Sequence, residues 1–329
     1  MEAKRVIFDK FGHPRDVLRV ERRPVERPRE GEILVRMKAR PINPSDLIPI
    51  RGAYAHRISL PAVPGYEGVG VVVDAGPGVS REMIGRRVLP LRGEGTWQEY
   101  VAAPARYAVP IPEAVDDFTA AQLYINPLTA WVVSTETLQL TPGDVLAVNA
   151  CGSSLGRIFA QLSKLLGFRL IAVTRNGSHT EDLHKLGASH VVDTATTSLY
   201  HAVMELTDGL GANAAIDSIG GPDGRALAEC VRPHGTLLTL GLLSGVPVDW
   251  AEIARRTKIN VKLFHLRHWN ELVSVPKWHD TFLRILALIN GSKLVLGQPG
   301  PCFGLQDVRE AVSAAESGRA GAGKVFLVG

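Results

Sequence analysis

An alternation of short apolar runs with helical segments between residues 145 and 240 constrains the fold more than any other feature of the sequence. The predicted elements are strand Val145–Asn149, helix Ser154–Leu166, strand Leu170–Thr174, helix Thr180–Leu186, strand His190–Val192, helix Leu199–Leu206, strand Ala214–Asp217, helix Gly224–Cys230 and strand Thr236–Leu240. Each helix carries the chain back before the next strand, so this order predicts a parallel sheet with right-handed crossovers. NVKLFHLR (260–267) is predicted as one more strand, followed by two helices and a final strand.

The first part of the chain, to about residue 115, shows a different pattern of short strands broken by Gly and Pro. In EILVRMKAR, apolar residues at alternate positions predict a half-buried strand. The pattern changes near residue 118, where FTAAQLYINPLTAWVVSTETL has a helical period and Thr119 with Gln122 predicts a capping box. A length of 329 residues also suggests about two domains.

Composition narrows the class of protein. Hydrophobic residues make up 45% and charged residues 21% of the chain, which is typical of a soluble globular protein. The net charge of +4 is spread along the sequence, and the Arg-rich run 22–29 alternates with Glu and Pro as in a solvated loop, so we expect neither nucleic acid nor a membrane as partner. The three cysteines lie far apart, which favours a reduced, cytoplasmic protein without a disulfide framework. The N-terminus has no apolar signal core.

The turn after the first strand of the alternation reads NACGSSLG (149–156) and predicts a phosphate-binding loop. Ser153 and Ser154 are small enough to let backbone N–H groups approach a phosphate, and Gly156 permits close packing of the helix on the strand. An acidic residue about 20 positions later usually holds the ribose 2′-hydroxyl of NAD, but this sequence has Arg175. A guanidinium can bind a 2′-phosphate, so the sequence favours NADPH. A plain βα turn and a surface arginine are the alternatives.

The whole chain resembles the zinc-independent medium-chain dehydrogenase/reductase superfamily, and most closely its quinone oxidoreductase and 2-enoyl thioester reductase branches. The matching segments are INPSD (42–46), GAY (52–54), PAVPGYEGVGVV (61–72), GTWQEYV (95–101), INPLTAW (125–131), DSIGG (217–221) and GKVFL (323–327). The resemblance implies an α/β protein with a β-rich GroES-like catalytic domain (1–117), an inserted Rossmann domain with a doubly wound parallel sheet (118–264), and a C-terminal return to the catalytic domain (265–329). The substrate site of such proteins lies between the two domains.

Zinc ligands are absent where zinc-dependent relatives carry them. The segment resembling the first ligand reads NPSD and has no Cys, and the segment resembling the second has Tyr66 where His would be. Tetrahedral zinc needs Cys, His or carboxylate ligands, so we expect no metal site. His265 and His268 are three positions apart on the predicted strand and should point to opposite faces.

Without a metal, bound NADPH can reduce a carbon that is conjugated to a carbonyl, which leaves an oxygen to be stabilised and a carbon to be protonated. Tyr54 lies where the resemblance to enoyl thioester reductases places the catalytic tyrosine. Asn43 resembles the family asparagine near the nicotinamide ribose and the substrate. The alternatives are a packing role in a loop for Tyr54 and an Asx turn before Pro44 for Asn43.

The remaining candidate residues belong to the cofactor and to the substrate pocket. The loop sequence and the resemblance together assign cofactor binding to Thr129, Ser153, Ser154, Leu155, Gly156, Arg175, Gly220, Gly241, Leu242 and Lys324. Trp269 and His265, in FHLRHWN, resemble the stretch that shapes the acyl pocket in enoyl reductases. Each assignment has an alternative. The Thr129 hydroxyl could bond to its own helix, the glycines could form turns, and Trp269 could pack in the core or at an interface.

Three functions fit these residues: NADPH-dependent reduction of the C=C bond of a 2-enoyl thioester or related enone, NADPH-dependent quinone reduction, and non-catalytic NADPH binding. The resemblance also implies a homodimer, formed by pairing of the strand at Val261–Phe264, since an unpaired apolar edge tends to associate.

Overall fold

The computed structural model describes residues 1–317 and 323–329. The strands are β1 (Glu2–Ile7), β2 (Arg19–Pro24), β3 (Glu32–Pro41), β4 (Val69–Ala75), β5 (Arg87–Leu89), β6 (Tyr100–Pro104), β7 (Val109–Pro110), β8 (Val145–Val148), β9 (Arg169–Thr174), β10 (His190–Asp193), β11 (Ala212–Asp217), β12 (Val231–Thr239), β13 (Asn260–Leu263), β14 (Pro299–Gly304) and β15 (Lys324–Val328).

The α-helices are α1 (Pro14–Val17), α2 (Pro44–Ile50), α3 (Asp117–Ala121), α4 (Thr129–Val132), α5 (Ser154–Leu166), α6 (Thr180–Leu186), α7 (Leu199–Leu206), α8 (Gly221–Glu229), α9 (Trp250–Thr257), α10 (Leu266–Leu272), α11 (Val275–Asn290) and α12 (Val308–Ser317). Single turns of 3₁₀ helix occur at Ala55–Arg57, Arg81–Met83, Ala105–Tyr107, Gly177–His179 and Leu305–Asp307, and π-helical turns at Tyr124–Leu128 and Val133–Thr137.

The chain forms two compact units. Unit 1 consists of Met1–Ile125, Ser274–Asn290 and Leu296–Gly329, and unit 2 of Asn126–Val273 and Gly291–Val295. The domain boundaries after residues 117 and 264 stay a prediction, although the described units change at residues close to them. Unit 1 combines segments from both ends of the chain, which accords with a chain that leaves this unit and returns to it.

Unit 1 is built on a mixed sheet in the order β14-β15-β3-β4-β5-β7, with β6 paired to β3. Ile33, Val35 and Met37 are buried along β3 as predicted, but Leu34 and Arg40 are buried as well, so only the middle of the strand has one exposed face. These side chains pack with Val72 and Val101 from the neighbouring strands β4 and β6. Helix α2 follows β3 along the chain, and the loop that contains Glu67 leads into β4.

Unit 2 holds a six-stranded sheet in the order β10-β9-β8-β11-β12-β13, in which every pairing is parallel. The predicted parallel sheet is therefore confirmed. The strand order reverses its direction of growth between β8 and β11, and ligands of open α/β sheets bind at the carboxyl ends of such strands. The loops after β8 and β11 are thus the parts of unit 2 best placed to hold a ligand.

Helix α5 occupies the predicted residues because its ends are marked in the sequence. The Ser153 hydroxyl caps the first turn, and Gly167 ends the helix in the left-handed conformation with φ of 80°. One face of the helix is apolar, and Ile158, Phe159 and Leu162 bury it.

One local prediction that is wrong concerns the start of α3. The cap of α3 is Asp116, whose carboxylate accepts from the N–H groups of Phe118 and Thr119, while the Gln122 amide donates to Phe118 and Gly297 carbonyls. The predicted capping box of Thr119 and Gln122 therefore does not form.

The strand predicted over residues 260–267 is also too long. β13 ends at Leu263, and His265 caps α10 by accepting from the Arg267 N–H. His265 and His268 therefore do not point to opposite faces of a strand, and their ring centroids are 5.7 Å apart. The side-chain cap favours a helix start, which the apolar period of the segment did not indicate.

Candidate active site

The loop after β8 forms a tight elbow that only small residues fit. Ala150 adopts a left-handed φ of 50°, and the Ser153 hydroxyl accepts from the Gly156 N–H at 3.2 Å. A Cβ atom on Gly156 would lie 2.4 Å from the Cys151 Cα, so the helix can approach the elbow this closely only with glycine at that position. The predicted packing role of Gly156 is consistent with this geometry.

The first turn of α5 leaves two backbone donors available. Over residues 1–317 and 323–329, we find no acceptor for the N–H groups of Ser154 and Leu155. Free N–H groups at the N-terminus of a thirteen-residue helix attract an anion, because the helix dipole adds to their partial positive charge. The elbow therefore fits the pyrophosphate of a dinucleotide.

A buried amide–carboxylate pair fixes the elbow to the neighbouring loop. The Asn149 Nδ2 donates to Asp217 Oδ1 at 2.5 Å, and the Asn149 Oδ1 accepts from the Ser218 N–H at 2.8 Å. The Asp217 carboxylate also accepts from the N–H groups of Ile219 and Gly220. Both side chains are buried. We call Asn149 and Asp217 the unit 2 pair. Both residues lie in segments that the sequence analysis singled out, but their contact depends on β8 and β11 being neighbours in the sheet.

The predicted glycines near Asp217 also lie against a second loop. Gly220 has φ of 72°, and a Cβ atom there would lie 2.3 Å from Leu242 Cδ1. Leu242 itself is 48% exposed. A Cβ atom on Gly241 would lie 3.1 Å from the Ser218 carbonyl oxygen. The structure therefore brings Gly220, Gly241 and Leu242 together at the carboxyl ends of β11 and β12, and their contact with a cofactor stays a prediction.

The loop after β9 begins with Arg175, whose side chain is exposed. Its guanidinium has no hydrogen bond or ion pair with the described part of the chain, so it is available to an anion. In the same loop His179 lies against the elbow, because a Cβ atom on Gly152 would be 2.3 Å from its Cδ2. Sequence reasoning did not place His179 near this site. Thr129, at the start of α4, is half-buried, and its contact with a nicotinamide stays a prediction.

Unit 1 contains a second polar cluster around Asn43, the N-cap residue of α2. The Asn43 Nδ2 donates to Glu67 Oε1 at 2.7 Å, and the Lys324 Nζ donates to Asn43 Oδ1 at 2.5 Å. The Asn43 N–H donates to Asp46 Oδ2 at 2.7 Å, which forms part of a capping box. We call Asn43, Asp46, Glu67 and Lys324 the unit 1 cluster. Lys324 was predicted to bind the cofactor, and that role stays a prediction.

Burial dominates the electrostatics of the unit 1 cluster. Desolvation raises the pKa of Asp46 to about 7, and the nearby Glu67 adds to this shift against hydrogen bonds from the backbone. Desolvation also raises the pKa of Glu67 and lowers the pKa of Lys324. Charged groups in such a setting interact strongly, and perturbed pKa values of this kind are typical of functional sites.

Tyr54 lies at the start of the 3₁₀ turn Ala55–Arg57 and is half-buried. The Arg57 guanidinium carbon lies 3.8 Å from the centroid of the Tyr54 ring, a cation–π contact that holds the ring. The structure thus gives Arg57 a role in placing the Tyr54 ring. The catalytic role of Tyr54 stays a prediction.

The two predicted pocket residues lie in unit 2, around the start of α10. The Trp269 Nε1 donates to Glu136 Oε2 at 3.0 Å, and His265 caps the helix. Trp269 therefore has a polar partner, and the acyl-pocket role of both residues stays a prediction.

Comparisons with known proteins agree with this architecture. Residues 29–113 match the alcohol dehydrogenase GroES-like domain, and residues 154–278 match the domain described as zinc-binding dehydrogenase. The mitochondrial enoyl-[acyl-carrier-protein] reductase of Xenopus tropicalis is 34% identical over 283 residues, which cover 82% of this chain and 79% of the relative. The chain belongs to the medium-chain dehydrogenase/reductase superfamily. Within this superfamily it is an oxidoreductase of the quinone oxidoreductase and enoyl reductase branch.

Solved structures of this superfamily match over the full length. A Bacillus thuringiensis protein provisionally named NADPH:quinone reductase is 59% identical, with a TM-score of 0.98 over 100% of this chain and 99% of that one. A mycobacterial protein complexed with NADPH is 26% identical, with a TM-score of 0.89 over 100% of both chains. The predicted α/β fold, with a GroES-like domain and a Rossmann sheet, is confirmed.

Zinc does not fit the residues of this superfamily member. Asn43 and Tyr66 stand in the segments that resemble the first two ligand segments of zinc-dependent relatives, and an amide and a phenol are poor ligands for structural or catalytic zinc. Among the described residues, no three His, Cys, Asp or Glu side chains come together as a metal site would require.

The described helices include none with the length and hydropathy needed to cross a bilayer.

Proposed function

We propose that this protein is an NADPH-dependent reductase of the C=C bond of α,β-unsaturated carbonyl compounds, with a 2-enoyl thioester as substrate. The 34% identity with an enoyl-[acyl-carrier-protein] reductase over 79% of that relative carries the choice of substrate. Tyr54, whose ring is held by Arg57, supports it, because reduction of a conjugated C=C bond requires a proton donor after the hydride has been added.

The cofactor is NADPH, which supplies a hydride to the β-carbon when it is bound. The free N–H groups of Ser154 and Leu155 hold the pyrophosphate, and the exposed Arg175 binds the 2′-phosphate. The complex of the mycobacterial relative with NADPH supports this cofactor.

Residues of unit 1 stabilise the negative charge that forms on the substrate and supply a proton to it. Hydride addition places negative charge on the carbonyl oxygen, which a hydrogen-bond donor must stabilise. Asn43 donates an N–H to this oxygen, and Tyr54 donates its hydroxyl proton to the α-carbon. Water then returns a proton to the Tyr54 phenolate, so that one hydride and one proton are added in each turnover.

Quinone reduction is the second candidate function. The 59% identity with the Bacillus thuringiensis protein favours it, since that relative carries the name NADPH:quinone reductase. A quinone accepts hydride in the same way as a conjugated carbonyl, but its oxygens can take up protons from water. Quinone turnover therefore does not depend on Tyr54.

A panel of acceptors separates these functions. NADPH oxidation should be followed with crotonyl-CoA, a longer enoyl-CoA, a simple enone and a benzoquinone. We expect the highest kcat/KM with an enoyl thioester. Turnover confined to the benzoquinone would replace the proposal with quinone reduction, and NADPH binding without turnover of any acceptor would make the protein a non-catalytic binder.

We also propose that the protein forms a homodimer and that it is located in the cytoplasm, which is a reducing compartment. β13 is an edge strand of the unit 2 sheet, and Leu263 on it is 72% exposed, which favours pairing with a second copy. All three cysteines are free thiols, as expected in reducing conditions. Light scattering should give twice the chain mass of 35.5 kDa, and Leu263→Lys should halve it. A monomeric wild-type protein would contradict the homodimer.

A further inference from the structure

The Asn43 amide is held between two groups of opposite charge. Its Nδ2 donates to the Glu67 carboxylate at 2.7 Å, and its Oδ1 accepts from the Lys324 ammonium at 2.5 Å. Asn43 is only 2% exposed. The two partners lie far along the chain, 24 and 281 positions away, so the fold brings them to the same amide.

These partners allow only one orientation of the amide. A carboxylate only accepts hydrogen bonds and an ammonium only donates them, so exchange of the Asn43 oxygen and nitrogen would set donor against donor and acceptor against acceptor. The two charges also polarise the amide in one direction, because the carboxylate attracts the partial positive charge of the N–H group and the ammonium attracts the partial negative charge of the carbonyl oxygen. This polarisation strengthens the second N–H of Nδ2 as a donor.

Glu67 is itself fixed in place. Its Oε2 accepts from the Tyr124 N–H at 3.1 Å and from the Ile125 N–H at 2.7 Å, and its side chain is 1% exposed. All these partners are donors, so the ionised carboxylate satisfies them and a protonated carboxyl would leave its own hydrogen without an acceptor. Glu67 is thus a rigid, charged support for Asn43.

We propose that Glu67 and Lys324 are positioning residues, which hold the Asn43 amide so that its second N–H is the donor to the substrate carbonyl oxygen. This inference rests on the proposed function, in which that oxygen gains negative charge. Glu67 and Lys324 then act only through Asn43 and touch neither substrate nor cofactor. The arrangement explains how Asn43 takes the proposed donor role, whereas the resemblance implied only that it lies near the substrate.

Glu67→Gln is the first test, because a glutamine cannot satisfy its neighbours. The NH₂ group of the glutamine amide must face either the Asn43 Nδ2 or the two backbone N–H groups. In both cases a donor then faces a donor. We expect kcat with crotonyl-CoA to fall by about 10²-fold, the usual loss when an oxyanion donor is removed, while the NADPH dissociation constant stays the same. Glu99→Gln, a half-buried glutamate of unit 1 that accepts from the Lys4 N–H, is the control and should keep the wild-type kcat.

The double variant Asn43→Asp with Glu67→Gln separates packing from chemistry. An aspartate at position 43 accepts both from the amide nitrogen introduced at position 67 and from the Lys324 ammonium, so every hydrogen bond of the cluster is restored, but the N–H donor to the substrate is lost. The unfolding temperature should recover to near wild type, while kcat stays about 10²-fold low. Wild-type kcat in the double variant, or in Glu67→Gln alone, would overturn the proposal.

Lys324→Met tests the other side of the amide. The proposal predicts a lower kcat with an unchanged NADPH dissociation constant. A weaker NADPH affinity with unchanged kcat would place Lys324 on a cofactor phosphate and overturn its positioning role. If the wild-type protein reduces none of the acceptors, the proposed function fails, but the unfolding temperatures still test the cluster: recovery in the double variant supports it, and additive losses overturn it.

Discussion

Each compact unit buries an asparagine beside a carboxylate, but the two pairs use their hydrogen bonds differently. In the unit 2 pair, Asn149 donates to Asp217 and accepts from a backbone N–H, and Asp217 accepts from two further backbone N–H groups. In the unit 1 cluster, Asn43 is held by a carboxylate and by an ammonium. The first pair ties two loops of the backbone together, whereas the second fixes one side chain between charges.

The difference indicates what each unit has to do. A dinucleotide is bound largely by backbone N–H groups, so unit 2 needs a rigid loop at the end of β8 and uses its buried polar groups to lock the backbone. A reacting carbonyl needs a side-chain donor in one orientation, and in the proposed mechanism unit 1 uses buried charge to provide it. The four variants below test this division, from the largest expected effect to the smallest.

Removal of the acid of the unit 2 pair should have the largest effect. Asp217→Ala leaves the Asn149 amide and two backbone N–H groups without their buried acceptor, so we expect the free energy of unfolding to fall by about 3–5 kcal/mol. Urea denaturation followed by circular dichroism measures this loss. Asp223→Ala, an exposed aspartate in the first turn of α8, is the control. An equal loss in both variants would show that the pair does not lock the loops.

Loss of the Tyr54 hydroxyl should have the next largest effect, and it should concern chemistry only. Tyr54→Phe keeps the ring under Arg57 but removes the proposed proton donor, so kcat with crotonyl-CoA should fall by about 10²-fold. The rate with benzoquinone and the KM for NADPH should not change in the same steady-state assays. A variant that keeps the wild-type rate with crotonyl-CoA would remove Tyr54 from the mechanism.

Arg175→Ala should affect cofactor choice. Loss of a charged hydrogen-bond donor to the 2′-phosphate should weaken NADPH binding by about 10-fold and leave NADH binding unchanged. Titration calorimetry with both nucleotides measures this, with Arg255→Ala on the exposed side of α9 as control. Equal effects on the two nucleotides would assign the 2′-phosphate to other residues.

The last effect, the smallest when it is expressed per pH unit, concerns the pH dependence of stability. Burial raises the pKa of Asp46 to about 7, so the folded protein binds this proton more tightly than the unfolded chain does. The stabilisation is complete below the ordinary aspartate pKa and is lost as pH rises to 7, with a slope of at most about 1.4 kcal/mol per pH unit. Unfolding measured between pH 5 and pH 8 should therefore show a flatter profile in Asp46→Asn. Parallel profiles would show that Asp46 does not carry the shift.

Local signals in the sequence predicted much of unit 2. The helices α5, α6 and α7 begin and end at the predicted residues, because apolar periods mark all three and the Ser153 cap marks the start of α5. The start of α10 was predicted as part of a strand, since it depends on a His265 side-chain cap that apolar periodicity does not reveal.

The unit 1 cluster could be predicted only in part. Asn43 and Lys324 were candidates from the resemblance, but Glu67 entered only as part of a segment without zinc ligands. Its role depends on a contact with Asn43 that is 24 positions distant, and the Lys324 contact spans 281 positions. No local pattern encodes such contacts, because they join residues that only the tertiary fold of unit 1 brings together.

Transfer of deuterium tests the central claim, hydride reduction of a conjugated C=C bond, most directly. The protein should be incubated with crotonyl-CoA and NADPH that carries deuterium at both C4 positions, in ordinary water, and the product analysed by mass spectrometry and NMR. The account predicts butyryl-CoA with one deuterium at the β-carbon and a solvent proton at the α-carbon. Butyryl-CoA without deuterium, or no butyryl-CoA while benzoquinone is reduced, would contradict it.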